Sequence, residues 1–127
     1  MKVKNLSVLV FVFSLFVLAS CKKEASSNQD KEYSVVYKVI SLVSTPVTKI
    51  TYADKTQIKQ ETVALDNAEK TYMVAGVKKG FNATLKADAF FITDRSRGVT
   101  LIISVDGSEK KTQTFTNGTP EISYTIQ

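Results

Sequence analysis

The side chains in this 127-residue chain limit the chemistry that it can perform. It has no histidine and its single cysteine is Cys21, which excludes an internal disulfide and a zinc site built from cysteine and histidine. A serine or threonine nucleophile would need a lysine or a carboxylate as its base. We therefore predict no catalytic residues and no cofactor, and we predict that the protein is not an enzyme.

Carboxylates offer the remaining route to acid–base catalysis or to metal binding. Most of them fall at expected turns, where an aspartate shapes the backbone. The segment 65–69 (LDNAE) brings Asp66, Asn67 and Glu69 together as candidate calcium ligands. The same spacing is typical of an Asx turn between two strands, which is the interpretation that we favour. No metal site is predicted.

Cys21 directly follows an apolar segment near the start of the chain. Lys2 and Lys4 are positively charged, and residues 6–18 contain two serines and otherwise apolar side chains. A helix of that length rises about 20 Å, whereas the hydrocarbon core of a bilayer is about 30 Å thick. The pattern predicts a secretory signal peptide over residues 1–20.

The four residues Leu18-Ala19-Ser20-Cys21 resemble the lipobox of bacterial lipoproteins. The resemblance implies that the chain is cleaved before Cys21 and that a lipid is attached to the Cys21 thiol. Two or more acyl chains are enough for stable membrane anchoring. The alternatives are an uncleaved anchor, or an ordinary secretory signal followed by a cysteine that plays no part.

The segment after Cys21 is polar, since residues 22–32 (KKEASSNQDKE) contain one alanine and no other apolar side chain. We predict that residues 21–32 form a flexible tether and that residues 33–127 form the folded domain. By analogy with lipoprotein sorting, Lys22 in place of an aspartate favours the outer membrane, on its periplasmic face or on the cell surface. The net charge falls from +5 to +3 without Lys2 and Lys4, and no basic stripe predicts nucleic acid as a partner.

From residue 33 onward, short runs of alternating apolar and polar residues predict β-strands. The segment 99–105 alternates in this way, and Ile102 adds an apolar side chain to its second face, as in a central strand. Asp106-Gly107 and Asn117-Gly118 predict two tight hairpins. The eight predicted strands are 33–42, 47–53, 57–65, 70–77, 81–90, 99–106, 109–116 and 121–127.

The folded segment also resembles the periplasmic domain of the mycobacterial membrane protein small (MmpS) family. The similar stretches are VVYKVISLVSTPVTKITYADK, GFNATLKAD and VTLIISVDGSEKKTQT. The resemblance implies an all-β, Ig-like antiparallel β-sandwich of seven or eight strands that assists large membrane transporters. This chain differs in having no tryptophan and no paired cysteines, and in using a lipid instead of a membrane-spanning helix.

If consecutive strands are antiparallel, successive loops alternate between the two ends of the sandwich. Loops at 54–55, 78–79 and 106–110 then lie where the first strand begins, and their lysines favour an anionic lipid surface. The loops at the opposite end are 43–46, 66–67, 90–98 and 117–118.

The loop 90–98 (FFITDRSRG) is the longest of these connections. Because aromatic and arginine side chains are common anchors of binding sites, Phe91, Arg95 and Arg97 are the predicted partner-binding residues. We expect Phe90 to close the core, and Phe91 either to do the same or to contact the partner. The arginines are equally consistent with a solvated turn.

The predicted function is non-enzymatic binding or scaffolding in the cell envelope, as an accessory of an envelope or transporter complex. The membrane is contacted through the lipid on Cys21, and the partner is an envelope protein. The alternative is a surface module that binds a glycan or a host protein.

Overall fold

The computed structural model describes residues 31–92 and 94–127. The predicted signal peptide, Cys21 and nearly all of the predicted tether lie outside these residues. Within them there is no helix that is long and apolar enough to span a membrane. The described chain forms eight strands: β1 (Glu32–Ser41), β2 (Val47–Ala53), β3 (Ile58–Leu65), β4 (Ala68–Lys78), β5 (Asn82–Ala89), β6 (Val99–Val105), β7 (Ser108–Phe115) and β8 (Glu121–Thr125).

The strands pair into two four-stranded antiparallel sheets, which pack against each other. Sheet A has the order β4-β1-β6-β7, and sheet B has the order β3-β2-β5-β8. The prediction of an antiparallel β-sandwich is therefore confirmed, with eight strands. Ile102 lies on β6, which is an inner strand of sheet A, as its apolar second face predicts.

Two of the strand pairings also occur in the immunoglobulin fold. The pair β2–β5 and the hairpin β6–β7 correspond to the B–E pair and the F–G hairpin of that fold, and they lie in opposite sheets. The outer positions differ, because β1 lies beside β6 and β3 lies beside β2. The first two strands consequently belong to different sheets, and the loop between them crosses from one sheet to the other.

Alternation along the strands creates the core between the sheets. In β6, every second residue from Val99 to Val105 is buried, and in β5 the buried residues are Ala83, Leu85 and Ala87. Among the described residues, Tyr37 on β1 has the largest fully buried side chain. Removing this apolar surface from water supplies most of the stability of such a sandwich.

The two predicted hairpins have different outcomes. Asp106 and Gly107 have φ angles of 49° and 79° and join β6 to its partner β7, as predicted for a two-residue hairpin. The prediction for Asn117-Gly118 is wrong, because β7 and β8 lie in different sheets. Gly118 has a φ angle of 73° within a connection that crosses between the sheets.

Charged side chains close the side of the sandwich between the edge strands β3 and β4. Glu61 on β3 lies opposite the buried Ile50, so its side chain points toward the interior side of sheet B. Its carboxylate lies 3.5 Å from the Lys70 ammonium on β4. Next to this ion pair, the rings of Tyr52 and Tyr72 stack with centroids 4.5 Å apart. Both contacts connect one sheet to the other.

The Tyr72 hydroxyl is buried at this closure and has no hydrogen-bond partner of good geometry among the described residues. It is nevertheless close enough to Glu61 to lower the pKa of that carboxyl, with a further contribution from Lys70. Burial, followed by the Glu61 carboxylate, raises the pKa of Tyr72. The Tyr72 hydroxyl therefore stays protonated, and the Glu61 carboxyl stays ionised, over the physiological pH range.

Candidate partner-binding site

The loop between β5 and β6 is fixed to the loop between β1 and β2 by backbone hydrogen bonds. The Leu42 N–H donates to the Gly98 carbonyl at 3.0 Å, and the Arg97 N–H donates to the Val43 carbonyl at 3.0 Å. These bonds continue the β1–β6 ladder beyond both strands. The two loops lie at the end of the sandwich opposite the beginning of β1, which we call the far end.

Ser96 and Phe90 hold the remainder of the long loop. The Ser96 hydroxyl donates to the Ser44 carbonyl and accepts a hydrogen bond from the Ile92 N–H. The Phe90 N–H donates to the Pro46 carbonyl at 2.9 Å. At Phe90, Ser96 and Arg97 the long loop is therefore held by the loop that follows β1.

Two buried hydroxyl groups also make hydrogen bonds at the far end. The Thr45 Oγ1 accepts a 3.0 Å hydrogen bond from the Gly98 N–H, and Thr45 is fully buried. The Ser41 hydroxyl donates to the Thr45 carbonyl at 2.6 Å and lies 3.3 Å from the Leu65 carbonyl. The sequence analysis identified neither residue. No local signal marks Thr45, since its partner is 53 residues away.

The structure exposes three large apolar side chains at the far end. Phe90 is 66% exposed, Val43 is 51% exposed and Ile92 is 40% exposed. The prediction that Phe90 closes the core is wrong. Ala83, Leu85 and Ala87 point inward, so alternation places the even-numbered Phe90 on the outer side.

The three predicted partner-binding residues lie on this same loop. Phe91 is half-buried, whereas Arg95 and Arg97 are exposed. Neither arginine forms an ion pair with any residue in the described ranges. Val43, Phe90, Ile92, Arg95 and Arg97 together are called the far-end cluster below.

A shallow pocket of about 380 Å³ borders this cluster. Phe90 and the buried Pro120 contribute apolar surface, while Asp88 contributes a carboxylate that lies 3.1 Å from the Lys49 ammonium. We call it the Asp88–Phe90 pocket. Its lining residues are Thr48, Ala87, Asp88, Ala89, Phe90, Gly118, Thr119 and Pro120.

The segment considered for calcium binding has a different role. Asn67 has a φ angle of 52° in the two-residue turn between β3 and β4, and the Glu69 carboxylate lies 3.7 Å from the Lys38 ammonium. Across residues 31–92 and 94–127, no three acidic or other metal-ligating side chains converge.

No protein-family model matches the chain, and a search of curated proteins finds no match. The predicted lipidation site, Cys21, lies outside the described residues. The geometry that bears on function is therefore that of the far-end cluster and of the pocket beside it.

Proposed function

We propose that this protein is a lipid-anchored component of the bacterial cell envelope, and that its β-sandwich binds an envelope protein without catalysing a reaction. The Leu18-Ala19-Ser20-Cys21 sequence supports the anchor. The observation that carries the binding function is the far-end cluster, in which apolar and arginine side chains are exposed on loops held by hydrogen bonds.

The composition of the cluster suits a protein partner. An exposed phenylalanine offers a large apolar surface, and aromatic and arginine residues contribute a disproportionate share of interface binding energy. Arg95 and Arg97 form no ion pair within the described residues, so their charges are free to meet carboxylates of a partner. An acidic surface with an apolar centre fits this cluster.

The loops are also held in place before a partner binds. Ser96, Arg97 and Gly98 each make hydrogen bonds to the loop after β1. Less conformational freedom is then lost on association, which favours affinity. The sandwich begins at the opposite end, at the start of β1.

Crosslinking in cells tests the binding site. We expect Phe90→Ser/Ile92→Ser and Arg95→Glu/Arg97→Glu each to abolish crosslinked partners while the protein remains folded. The control is Ile58→Ser, which removes an apolar side chain that is 59% exposed at the opposite end of the sandwich. Unchanged crosslinking of both cluster variants would refute the site.

The anchor is tested separately by metabolic labelling with an acyl chain. Cys21→Ala should abolish labelling of this protein, because the thiol is the proposed attachment point. Labelling that persists in this variant would contradict the lipoprotein assignment. It would leave the binding site untouched, since the two proposals rest on different residues.

The Asp88–Phe90 pocket favours glycan binding as a second candidate function. A sugar ring can pack on the exposed Phe90 ring while its hydroxyls meet the Asp88 carboxylate and the Thr48 and Thr119 side chains. In this case Asp88→Asn should reduce retention on immobilised cell-wall polysaccharide, whereas Arg95→Glu/Arg97→Glu should not. If the site binds a protein instead, Arg95→Glu/Arg97→Glu should abolish crosslinking, whereas Asp88→Asn should not.

A further inference from the structure

A second pocket lies at the other end of the sandwich, where β1 begins. Its volume is about 280 Å³, and it is open to solvent on one side. Three lysines contribute to its walls together with the half-buried ring of Phe81. We call it the lysine pocket. Its lining residues are Lys55, Gly76, Val77, Lys78, Lys79 and Phe81.

The fold brings the three lysines together from both sheets. Lys55 lies in the turn between β2 and β3 of sheet B, whereas Lys78 is the last residue of β4 in sheet A. Lys79 follows in the turn to β5, which the Phe81 N–H closes by donating to the Lys78 carbonyl at 3.0 Å. The Gly80 N–H fixes the same turn by donating to the Ile126 carbonyl at 2.8 Å.

Gly76 allows Lys55 to reach across the gap between the sheets. It is the extra residue of a β-bulge in β4 and has a φ angle of 73°. A Cβ atom at this position would lie 2.5 Å from the Lys55 ammonium nitrogen. The absence of a side chain at Gly76 therefore makes the space that this ammonium occupies.

The charges of these lysines are not balanced by ion pairs. Lys38, Lys49, Lys59 and Lys70 each lie within 4 Å of a carboxylate, but Lys55, Lys78 and Lys79 do not lie that close to any carboxylate of the described chain. An acid does lie at the rim of the pocket, since the Glu32 Oε2 is 3.4 Å from the position that a Cβ atom at Gly76 would take. The Glu32 carboxylate at the rim thus faces three positive charges, while the Asp54 carboxylate next to Lys55 is ion-paired with Lys59.

We propose that the lysine pocket binds a phosphate group, carried either by a small organic phosphate or by a phospholipid headgroup. Lysine ammonium groups bind phosphate as point charges with rotatable N–H donors, and three of them converge on one open cavity here. Phe81 supplies an apolar wall for the carbon skeleton that carries the phosphate. This site is independent of the far-end cluster and of lipidation at Cys21.

Titration of the purified protein with glycerol phosphate tests the site. We expect saturable NMR shifts at the amides of Gly76, Lys78 and Lys79. Lys78→Gln/Lys79→Gln should weaken binding by about tenfold or more, since each lysine close to a phosphate surface contributes to affinity. The matched control is Lys110→Gln/Lys111→Gln on β7, which also removes two adjacent exposed lysines.

A variant that should strengthen binding excludes loss of folding as the explanation for weaker binding. Glu32→Gln removes the acid at the rim and should strengthen binding. Equal weakening by the two lysine-pair variants would show non-specific attraction and would refute phosphate binding in the pocket. An absence of NMR shifts at the pocket amides, combined with no vesicle binding, would refute it as well.

Vesicle flotation identifies the source of the phosphate. The Cys21→Ser chain is used, so that a lipid on Cys21 does not contribute, with phosphatidylglycerol vesicles and phosphatidylcholine vesicles as the two surfaces. Flotation with phosphatidylglycerol vesicles that is lost in Lys78→Gln/Lys79→Gln, without NMR shifts from glycerol phosphate, shows that the ligand is a lipid headgroup. NMR shifts without flotation assign a soluble organic phosphate.

Discussion

The hydroxyl of Tyr37 donates a 2.8 Å hydrogen bond to the carbonyl oxygen of Ala53, and this bond joins the two sheets through the core. Tyr37 belongs to sheet A and is fully buried, whereas Ala53 ends β2 in sheet B. Burial, followed by the charge of Asp54, raises the pKa of Tyr37 above its ordinary value. The hydroxyl therefore remains a donor throughout the physiological pH range.

Tyr37→Phe should destabilise the sandwich by about 1–2 kcal/mol, because it removes a buried hydrogen bond and leaves the Ala53 carbonyl without this donor. Urea unfolding measures the change. Tyr124→Phe is the matched control, since the Tyr124 ring is half-buried and its hydroxyl makes no side-chain hydrogen bond within the described residues. Equal destabilisation by both variants would contradict the role of the Tyr37 bond.

Gly98→Ala should destabilise the protein more than Gly118→Ala does. Both glycines have positive φ angles, of 104° and 73°, so both substitutions strain the backbone. A Cβ at Gly98 would in addition collide with the Phe115 carbonyl oxygen, whereas a Cβ at Gly118 meets no atom within 4 Å. We expect a cost of more than about 2 kcal/mol at Gly98 and about 1 kcal/mol at Gly118. Thermal unfolding of the two variants gives the comparison, and equal costs would contradict the collision.

Thr45→Val should loosen the far end while leaving the fold intact. The substitution preserves volume but removes the acceptor of the Gly98 N–H, at a cost of about 1–3 kcal/mol. Faster amide hydrogen exchange at Arg97 and Gly98 would report the change. Thr48→Val, at an exposed position, should have little effect on either amide. Unchanged exchange in the Thr45 variant would show that other bonds hold the loop.

The Asp54–Lys59 pair should make stability depend on pH at both extremes. Lys59 lies 2.9 Å from the Asp54 carboxylate, and its hydrogen bond lowers the pKa of Asp54. A carboxyl with a lowered folded-state pKa stabilises the protein above its unfolded pKa of about 3.9, and this contribution is lost as pH falls through the folded-state pKa.

The same hydrogen bond raises the pKa of Lys59, with the opposite consequence. Its contribution is complete below the unfolded pKa of about 10.4 and is lost as pH rises through the folded-state pKa. Asp54→Asn should therefore flatten the dependence of the urea midpoint on pH at the acid extreme and the alkaline extreme. Asp66→Asn, at an exposed turn, should retain both slopes. Parallel curves for the two variants would contradict the assignment.

The strands could be predicted from the sequence because alternation is a local property. The segment 47–53 was predicted with the bounds that the structure has, and the other strand ends differ by no more than a few residues. Asp106-Gly107 was predicted for the same reason, since its turn type depends on the two residues themselves. The exposure of Phe90 also follows from alternation in β5, although the prediction placed that ring in the core.

The strand partners could not be predicted in this way. β1 pairs with β4 and β6, and Asn117-Gly118 joins strands of different sheets, because the two sheets cover each other's apolar faces. The buried Thr45 depends on the same long-range arrangement. In the candidate site, Arg95 and Arg97 were identified from residue type alone, whereas Val43 joins them only through its contact with the loop 90–98.

The charged side chains between β3 and β4 also affect whether copies of the protein can associate edge to edge. Each sheet ends in strands whose outer backbone groups have no neighbour in the described chain, and such edges can recruit a strand from another copy. A strand of another copy that extended sheet B along β3 would have to cover the inward-pointing Glu61 and its ion pair with Lys70. Fibre growth through this edge is thereby disfavoured, even where neighbouring copies are crowded together.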